Sequence, residues 1–406
     1  MGHVIERLGH RGEGVADGLF VARALPGEVV EGVAENGRIA QPRIIAPSAD
    51  RVAPPCRHYK ACGGCALQHA SDAFVAGWKQ EIVAQALGAQ GLSAPFRPMH
   101  ISPANTLRRA ALSGRRLKSG ALVGFHARAS DTLTAVPDCR VLHPALLAAL
   151  PALEEITLHG ASRKGELALT VSALETGMDV AVTGGKPLDT ALRMALPRIA
   201  GRHGLARLTW DGETLYQTEP PRLTFGTARL SPPPGAFLQA TAEGEAALVA
   251  AMRDALDGAR RIADLFAGCG TFTLPLAARA EVHAVEGEAM MLGALDAGWR
   301  AATGLKRVTT ETRDLFRRPL LPDELARFDA VVIDPPRAGA EAQFEQIARA
   351  RVPVVGAVSC NPVTFARDAK RLVQAGYRLD RVQVVDQFRW SAHVELAARF
   401  SLNHMG

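Results

Sequence analysis

The sequence predicts an α/β protein in which a doubly wound sheet fills the carboxyl-terminal half, behind a small β-barrel and an α+β central domain. Three observations point there. After residue 235, short apolar runs alternate with helical stretches, as strands and crossover helices of a mostly parallel sheet do. A glycine-rich loop, Ala267-Gly268-Cys269-Gly270-Thr271, follows the first of those runs. The first 48 residues instead alternate apolar and polar positions between Gly and Asp turns, the pattern of several short strands.

Length and composition bound the rest. A chain of 406 residues exceeds one ordinary domain, and 48% hydrophobic against 22% charged residues supports a sizeable core. A formal charge of +6 and a pI of 9.2 favour an anionic partner without singling out nucleic acid. The six cysteines (Cys56, Cys62, Cys65, Cys139, Cys269 and Cys360) do not form the even spacing of a disulfide framework. No secretion signal is visible, and no apolar run reaches the roughly 18 residues of a membrane span. The expectation is a cytoplasmic protein with reduced thiols, no membrane association and no obligate protein partner.

Residues 1–50 carry the strand signals His3-Val4-Ile5, Gly14-Val15-Ala16, Leu19-Phe20-Val21, Val29-Val30 and Arg43-Ile44-Ile45. Small barrels of this OB-like kind often bind oligonucleotides, although the fold alone does not establish it. Next, Cys56, Cys62 and Cys65 form a C-x5-C-x2-C pattern with Gly63-Gly64 as its turn, and Cys139 stands apart as a fourth thiol. Four thiolates suit an iron–sulfur cluster or zinc. Zinc ribbons favour two C-x2-C pairs, so the isolated fourth cysteine favours a four-iron cluster. A helix is expected after Ser71-Asp72, with Phe74, Trp78, Ile82, Val83 and Leu87 on its packed face.

Residues 101–140 read as a hairpin rich in arginine: Arg108, Arg109, Arg115, Arg116 and Lys118, with Phe125 and His126 able to stack on a base. Such a ribbon can track a phosphate backbone or simply be a solvated, charged edge. Pro232-Pro233-Pro234-Gly235 is the clearest linker and sets the expected division into 1–50, 51–235 and 236–406.

In the last division the run Arg261–Leu265 leads into Gly268 and Gly270, which let backbone approach a ligand. Some twenty residues on, Glu286 ends the next strand, where a carboxylate can hold two ribose hydroxyls. A dinucleotide site would need a third glycine in register, and after Gly268 and Gly270 the chain runs on through Thr271 without one. With Asp264 before the loop, Glu286, Asp314 and then Asp334 end successive strands of one series, which resembles a Rossmann-like domain that binds S-adenosylmethionine.

Asp334-Pro335-Pro336-Arg337 sits at a strand end and Cys360 at the next, inside Ser359-Cys360-Asn361-Pro362; His393-Val394-Glu395 follows. Amino-methylating enzymes carry an aromatic residue where Arg337 stands, so a ring carbon is the better target. Carbon 5 of uracil becomes nucleophilic only after a thiolate adds to carbon 6, and a base must then remove the carbon-5 proton. One cysteine and one base are the minimum, and Cys360 and Glu395 could supply them. Alone, Cys360 would read as a buried structural thiol.

Taken together, these motifs and Phe237-Leu238-Gln239 resemble the bacterial RNA uracil-5-methyltransferases, in particular iron–sulfur members that act on 23S ribosomal RNA. The resemblance spans nearly the whole chain. It implies a TRAM-like barrel, a [4Fe-4S] cluster on Cys56, Cys62, Cys65 and Cys139, and S-adenosylmethionine as methyl donor. It also implies that Gln239, Phe266, Thr271, Glu286, Asp314 and Asp334 surround cofactor and target base, with Gly268 and Gly270 in the cofactor loop. Cys360 would be nucleophile and Glu395 proton acceptor, with an RNA as partner and tRNA as the alternative to 23S rRNA. Thr241 and Thr271 stand where the family often has Asn.

Overall fold

The computed structural model describes residues 2–402. Its largest element is an eight-stranded sheet in the order Val308–Thr312, Glu281–Glu286, Arg261–Leu265, Ala330–Ile333, Val354–Ser359, Glu395–Leu402, Tyr377–Asp386, His100–Ile101. Every adjacent pair is parallel except the two made by Glu395–Leu402, which runs against both neighbours. From Arg261–Leu265 the chain winds outward twice and then returns to its other side at Ala330–Ile333. That reversal is the topological switch point, where open α/β sheets bind ligands in a crevice at the carboxyl ends of the strands. The central strand Ala330–Ile333 is wholly buried because both faces are covered. Val331 and Ile333 join one core with Leu265, Phe344, Phe365 and Phe400, whereas Ala330 and Val332 join another with Leu248, Met252, Ile262 and Val358.

Residues 72–101 lie with this sheet, although the linker signal assigned them to the central division. The helix Asp72–Gly88, capped by Ser71 Oγ accepting from Phe74 N at 3.2 Å, packs Val83 and Leu87 into the sheet's core. Its other end packs Val75 and Trp78 against Leu8, Leu25 and Leu67 of the amino-terminal region. The strand His100–Ile101 then extends the sheet by pairing with Val385 and Asp386. Leu223, Phe225, Ala228 and Leu230 likewise pack with Leu274 and Cys269. Apolar packing therefore places these segments ahead of Pro232 with the carboxyl-terminal sheet.

The helix also buries a residue that its apolar pattern does not announce. Lys79 is fully buried, and its Nζ donates to Asp386 Oδ1 at 2.6 Å and to Phe388 O at 3.1 Å. Removing one partner of such a pair leaves an uncompensated buried charge, at a cost of about 3–5 kcal/mol. Lys79→Met is expected to lose stability on that scale in urea unfolding, and a loss below about 1 kcal/mol would show that the pair contributes little.

The central region is a seven-stranded sheet in the order Leu133–Ala135, Ala121–His126, Arg109–Arg116, Glu166–Leu174, Gly177–Thr183, Arg207–Trp210, Glu213–Gln217. Helices Leu150–Gly160 and Thr190–Arg202 pack on its core around Leu153, Leu169, Val180 and Trp210. The amino-terminal residues form two small sheets, one of three strands and one of four, closed around Ile5, Val21, Val30 and Ile39. Among the described residues no helix is long and apolar enough to cross a membrane.

Candidate functional site

The crevice is built by the ends of four strands. At the close of Arg261–Leu265, Asp264 is fully buried and Oδ2 accepts from Thr273 Oγ1 at 2.5 Å, while Oδ1 has no partner. Burial pushes its carboxyl up to about 7. The chain then turns through Phe266 at φ +61°, Gly268 at +55° and Gly270 at +95°. A left-handed phenylalanine is strained, and the fold retains it where the loop must face the crevice. A side chain at Gly270 would strike Leu295 at 2.9 Å, whereas Gly268 has nothing within 4 Å on that side, which leaves its backbone open to a ligand.

Glu286 sits across from this loop. Its Oε2 accepts from Gly268 N at 3.0 Å and its Oε1 from Glu288 N at 3.1 Å, so the carboxylate is oriented with lone pairs to spare. Asp314 has a different local duty: Oδ1 accepts from Phe316 N at 3.0 Å and Arg317 N at 3.2 Å, closing a turn. That turn brings the exposed Phe316 ring to 5.4 Å from Phe266, an aromatic pair beside the loop. Thr271 is partly exposed in the loop, and Thr273 rather than Thr271 is the partner of Asp264.

On the other side of the switch point, Asp334 follows Ile333 and Cys360 follows Ser359. The register Ser359–Leu396 in the antiparallel pair puts Glu395 at the next position, beside Cys360. Cys360 is half-buried; burial raises its thiol, Glu395 and Asp334 add to that, and Arg337 opposes it. Glu395 is buried, and burial first, then Asp334, push it up to about 8. Asp334 is partly open yet deeply set, and burial lifts it to about 7. Asn361 fixes the turn after Cys360: its Oδ1 accepts from Val363 N at 3.1 Å at the start of the helix Pro362–Gln374, and its Nδ2 donates to Arg337 O at 3.0 Å.

Gln239 reaches this group from the segment before the helix Ala242–Ala255. It is buried, with Nε2 donating to Asp334 Oδ2 at 3.4 Å. Gln387, absent from the sequence-based set, links the members. Its Nε2 donates to Gln239 Oε1 at 2.6 Å and also to Glu395 Oε2, while its Oε1 accepts from Thr241 N at 3.1 Å. The available signal was a polar pair, Asp386-Gln387, closing an apolar run eight residues before Glu395. Thr241 caps the helix by accepting from Gly244 N at 3.0 Å, a duty an Asn also performs.

The loop before Glu395 is held from far away in sequence. Ala66 N and Leu67 N donate to Trp390 O at 2.7 and 2.8 Å, and the Trp390 indole donates to Asp72 Oδ1 at 3.1 Å. His393 Nδ1 stands 3.3 Å from the Arg337 guanidinium, and burial, reinforced by that cation, lowers the imidazole.

The four cysteines of the amino-terminal half are gathered near one another. Burial raises the thiols of Cys62 and Cys139 and pushes that of Cys65 up to about 12. Each is raised further by the charge of others in the set, which includes Cys56. Gly63 lets this loop press on the hairpin, since a side chain there would meet His126 O at 2.6 Å. Among the described residues no three His, Cys, Asp or Glu side chains converge at single-ion spacing.

The arginine ribbon departs from the expectation. Arg108 Nη2 pairs with Glu245 at 2.5 Å and its Nε donates to Gln239 O at 3.2 Å, while Arg109 Nε donates to Ala236 O at 3.1 Å. Arg115 and His126 both bind Glu166, at 2.6 and 2.7 Å, and Phe125 packs against the central core. These side chains brace the site and the hairpin rather than standing free to stack on a base; Arg116 and Lys118 remain exposed.

Residues 300–401 match the family model described as tRNA (Uracil-5-)-methyltransferase. RNA methyltransferases of Caulobacter vibrioides and Brucella suis are 44% and 43% identical, over 98% and 97% of this chain and 99% and 96% of their own. The 23S rRNA (uracil(1939)-C(5))-methyltransferase of Halomonas elongata is 38% identical over 97% of this chain and 87% of its own. The same fold recurs in the crystal structure of the Pyrococcus abyssi tRNA (uracil-54, C5)-methyltransferase in complex with S-adenosyl-L-homocysteine, at a TM-score of 0.77 and 22% identity over 98% of this chain and 99% of that one. With this much identity along its whole length, the chain belongs to the RNA (uracil-5-)-methyltransferases, enzymes that draw their methyl group from S-adenosylmethionine.

Proposed function

We propose that this enzyme forms 5-methyluridine in 23S ribosomal RNA. The observation that carries the reading is the meeting of Cys360, Glu395 and Asp334 at one end of the sheet, beside the glycine loop. Phe266, Gly268, Gly270, Thr271, Glu286 and Asp314 would hold S-adenosylmethionine, with Gln239 and Asp334 between it and the base. The unpartnered Asp264 Oδ1, the oriented Glu286 carboxylate and the open face of Gly268 fit such a ligand. Bound there, S-adenosylmethionine supplies an electrophilic methyl group.

The protein's own part has three steps. Cys360 adds as thiolate to carbon 6 of uracil, moving the ring's π electrons toward carbon 5 and oxygen 4. Once carbon 5 is methylated, Glu395 takes its proton. The electrons left behind restore the double bond and expel the Cys360 thiolate. A target base inside a helix is out of reach, so the uridine must be flipped or lie in a loop.

The thiols of Cys56, Cys62, Cys65 and Cys139 would hold a [4Fe-4S] cluster: buried sulfurs that repel one another when ionised gain from a shared cationic centre. The role assigned is structural. The amino-terminal strands are read as a TRAM-like barrel that, with Arg116 and Lys118, holds the RNA around the target in the cytoplasm. The Halomonas relative's name favours 23S rRNA; tRNA is the alternative. Mapping 5-methyluridine in ribosomal and transfer RNA from cells with and without the gene decides, and unchanged maps in both RNAs would sink the proposal.

Glu395 acts only when ionised. Burial and the charges of Asp334 and Asp386 hold its proton on, whereas the hydrogen bond from Gln387 and the charge of Lys79 help release it. The turnover rate is therefore expected to climb between pH 7 and pH 9, around the value of about 8 for Glu395. A profile flat above pH 5.5, on the order of one unit beyond an ordinary Glu, would remove Glu395 from the rate-limiting step. Stability should move the other way. Asp264, Asp334 and Glu395 all titrate above their ordinary values, so the folded state holds extra protons, and stability falls as pH rises from about 4.5 toward about 8.

A further inference from the structure

Within that catalytic reading, Gln387 is a residue with no assigned part. Amide side chains can be turned end for end, and their direction is set by their neighbours. Here one neighbour leaves no choice. The backbone N–H of Thr241 is a donor only, so the Gln387 atom facing it at 3.1 Å must be the carbonyl Oε1. The Gln387 NH2 group then points to the opposite side, where its two hydrogens meet Gln239 and Glu395. Gln239 must receive one with its own Oε1, at 2.6 Å, which turns Gln239 Nε2 toward Asp334 and the crevice. Direction thus passes from a backbone amide through two buried glutamines to the site.

Packing holds the first link in place. Gln387 is 2% exposed, and a side chain at Gly244 would lie 2.2 Å from Gln387 Cγ, so the helix carries no side chain where Gln387 lies. The Thr241 N–H is fixed in turn by its capping position and by Ser102 Oγ, 2.7 Å from Thr241 Oγ1.

We propose that Gln387 is a positioning residue that makes Gln239 present an N–H to oxygen 4 of the target base, and thereby selects uracil over cytosine. The chemistry supports oxygen 4. Addition of sulfur at carbon 6 gathers negative charge on that oxygen, next to carbon 5, and a fixed N–H aimed there stabilises the charge as it forms. Beside it, Asp334 in its ionised form accepts the uracil N3–H. Cytosine offers the reverse, an amino group and a bare ring nitrogen, so the same pair is left with donor facing donor and acceptor facing acceptor. A Gln239 turned the other way would remove the first of these mismatches and lose the N–H that uracil oxygen 4 needs.

The test compares Gln387→Glu and Gln387→Met with the wild-type holoenzyme on two transcripts of the mapped RNA site, one with uridine and one with cytidine at the target. In Gln387→Glu the second carboxylate oxygen faces Gln239, accepts from its Nε2 and presents its carbonyl to the crevice. The uridine-to-cytidine ratio of kcat/KM is expected to fall at least about tenfold, through a lower kcat on uridine with KM changed less than about twofold. Gln387→Met removes the donors at similar volume and should shift the ratio the same way by a smaller factor, which covers the case of a Glu variant that fails to fold. A ratio unchanged in the folded variants, or a loss confined to KM, overturns the proposal. Failure of the wild-type enzyme to methylate the uridine transcript would instead overturn the function on which it rests.

Discussion

Cys360→Ala is expected to abolish methyl transfer to RNA while S-adenosylmethionine binding stays within about twofold, since in the proposed reaction the Cys360 thiolate is the group that activates carbon 5. The loss should reach at least about 10⁴-fold, because covalent addition is the step that makes the ring reactive rather than one contribution among many. The two activities separate in space. The cofactor's expected contacts lie on the Gly268 and Glu286 side of the switch point, whereas Cys360 ends a strand on the other side. The helix that follows keeps its own cap, Asn361, so the substitution removes a sulfur without loosening the turn. Labelled methyl transfer and equilibrium dialysis read the two quantities. Measurable methylation by the alanine variant would mean that carbon 5 is activated without Cys360, and weakened dialysis binding would move Cys360 into the cofactor seat.

Glu395→Gln is expected to stop the proposed reaction one step later. Addition and methyl transfer need no base at carbon 5, so the variant accumulates RNA joined to Cys360 through a methylated ring. The adduct survives denaturing electrophoresis and is lost again in the double variant with Cys360→Ala. Turnover should fall by about 10²–10⁴-fold, the usual contribution of a positioned base. The buried site tolerates the change, because the carbonyl of the new amide can still accept from the Gln387 NH2 that now serves Glu395 Oε2. A variant that releases 5-methyluridine at the wild-type rate would show that another group, with Asp334 the nearest carboxylate candidate, takes the proton.

How far the sequence reached depends on the kind of information each residue carries. Cys360, Asp334 and Glu395 could be found because strand ends, proline-rich turns and a fixed chemistry restrict what a cysteine and two acids can do there. The glycine loop was readable for the same reason, since positive φ at Gly268 and Gly270 leaves few other residues acceptable. Gln387 and Lys79 were hidden. Their roles come from partners about 148 and 307 residues away, Gln239 and Asp386, which no local pattern reports. Arg108, Arg109 and Arg115 looked like a free basic ribbon because charge in a sequence says nothing about the carboxylates and carbonyls waiting across the fold. The linker at Pro232–Gly235 marked a real turn, yet proline and glycine report backbone shape and not which core the neighbouring apolar residues enter. Leu223, Phe225 and the helix Asp72–Gly88 entered the core on the far side of it.

The clasp between Ala66, Leu67 and the carbonyl of Trp390 has a bearing on how this enzyme can be divided. The stretch that leads into Glu395 is tethered to the cysteine-bearing segment more than 300 residues upstream. The carboxyl-terminal half is accordingly no interchangeable cassette: cut away from its amino-terminal companion, it would lose an outermost strand, a covering helix and the tie that holds the loop before Glu395. The amino-terminal region and the sheet that carries Cys360 and Glu395 are thus a single mechanical piece.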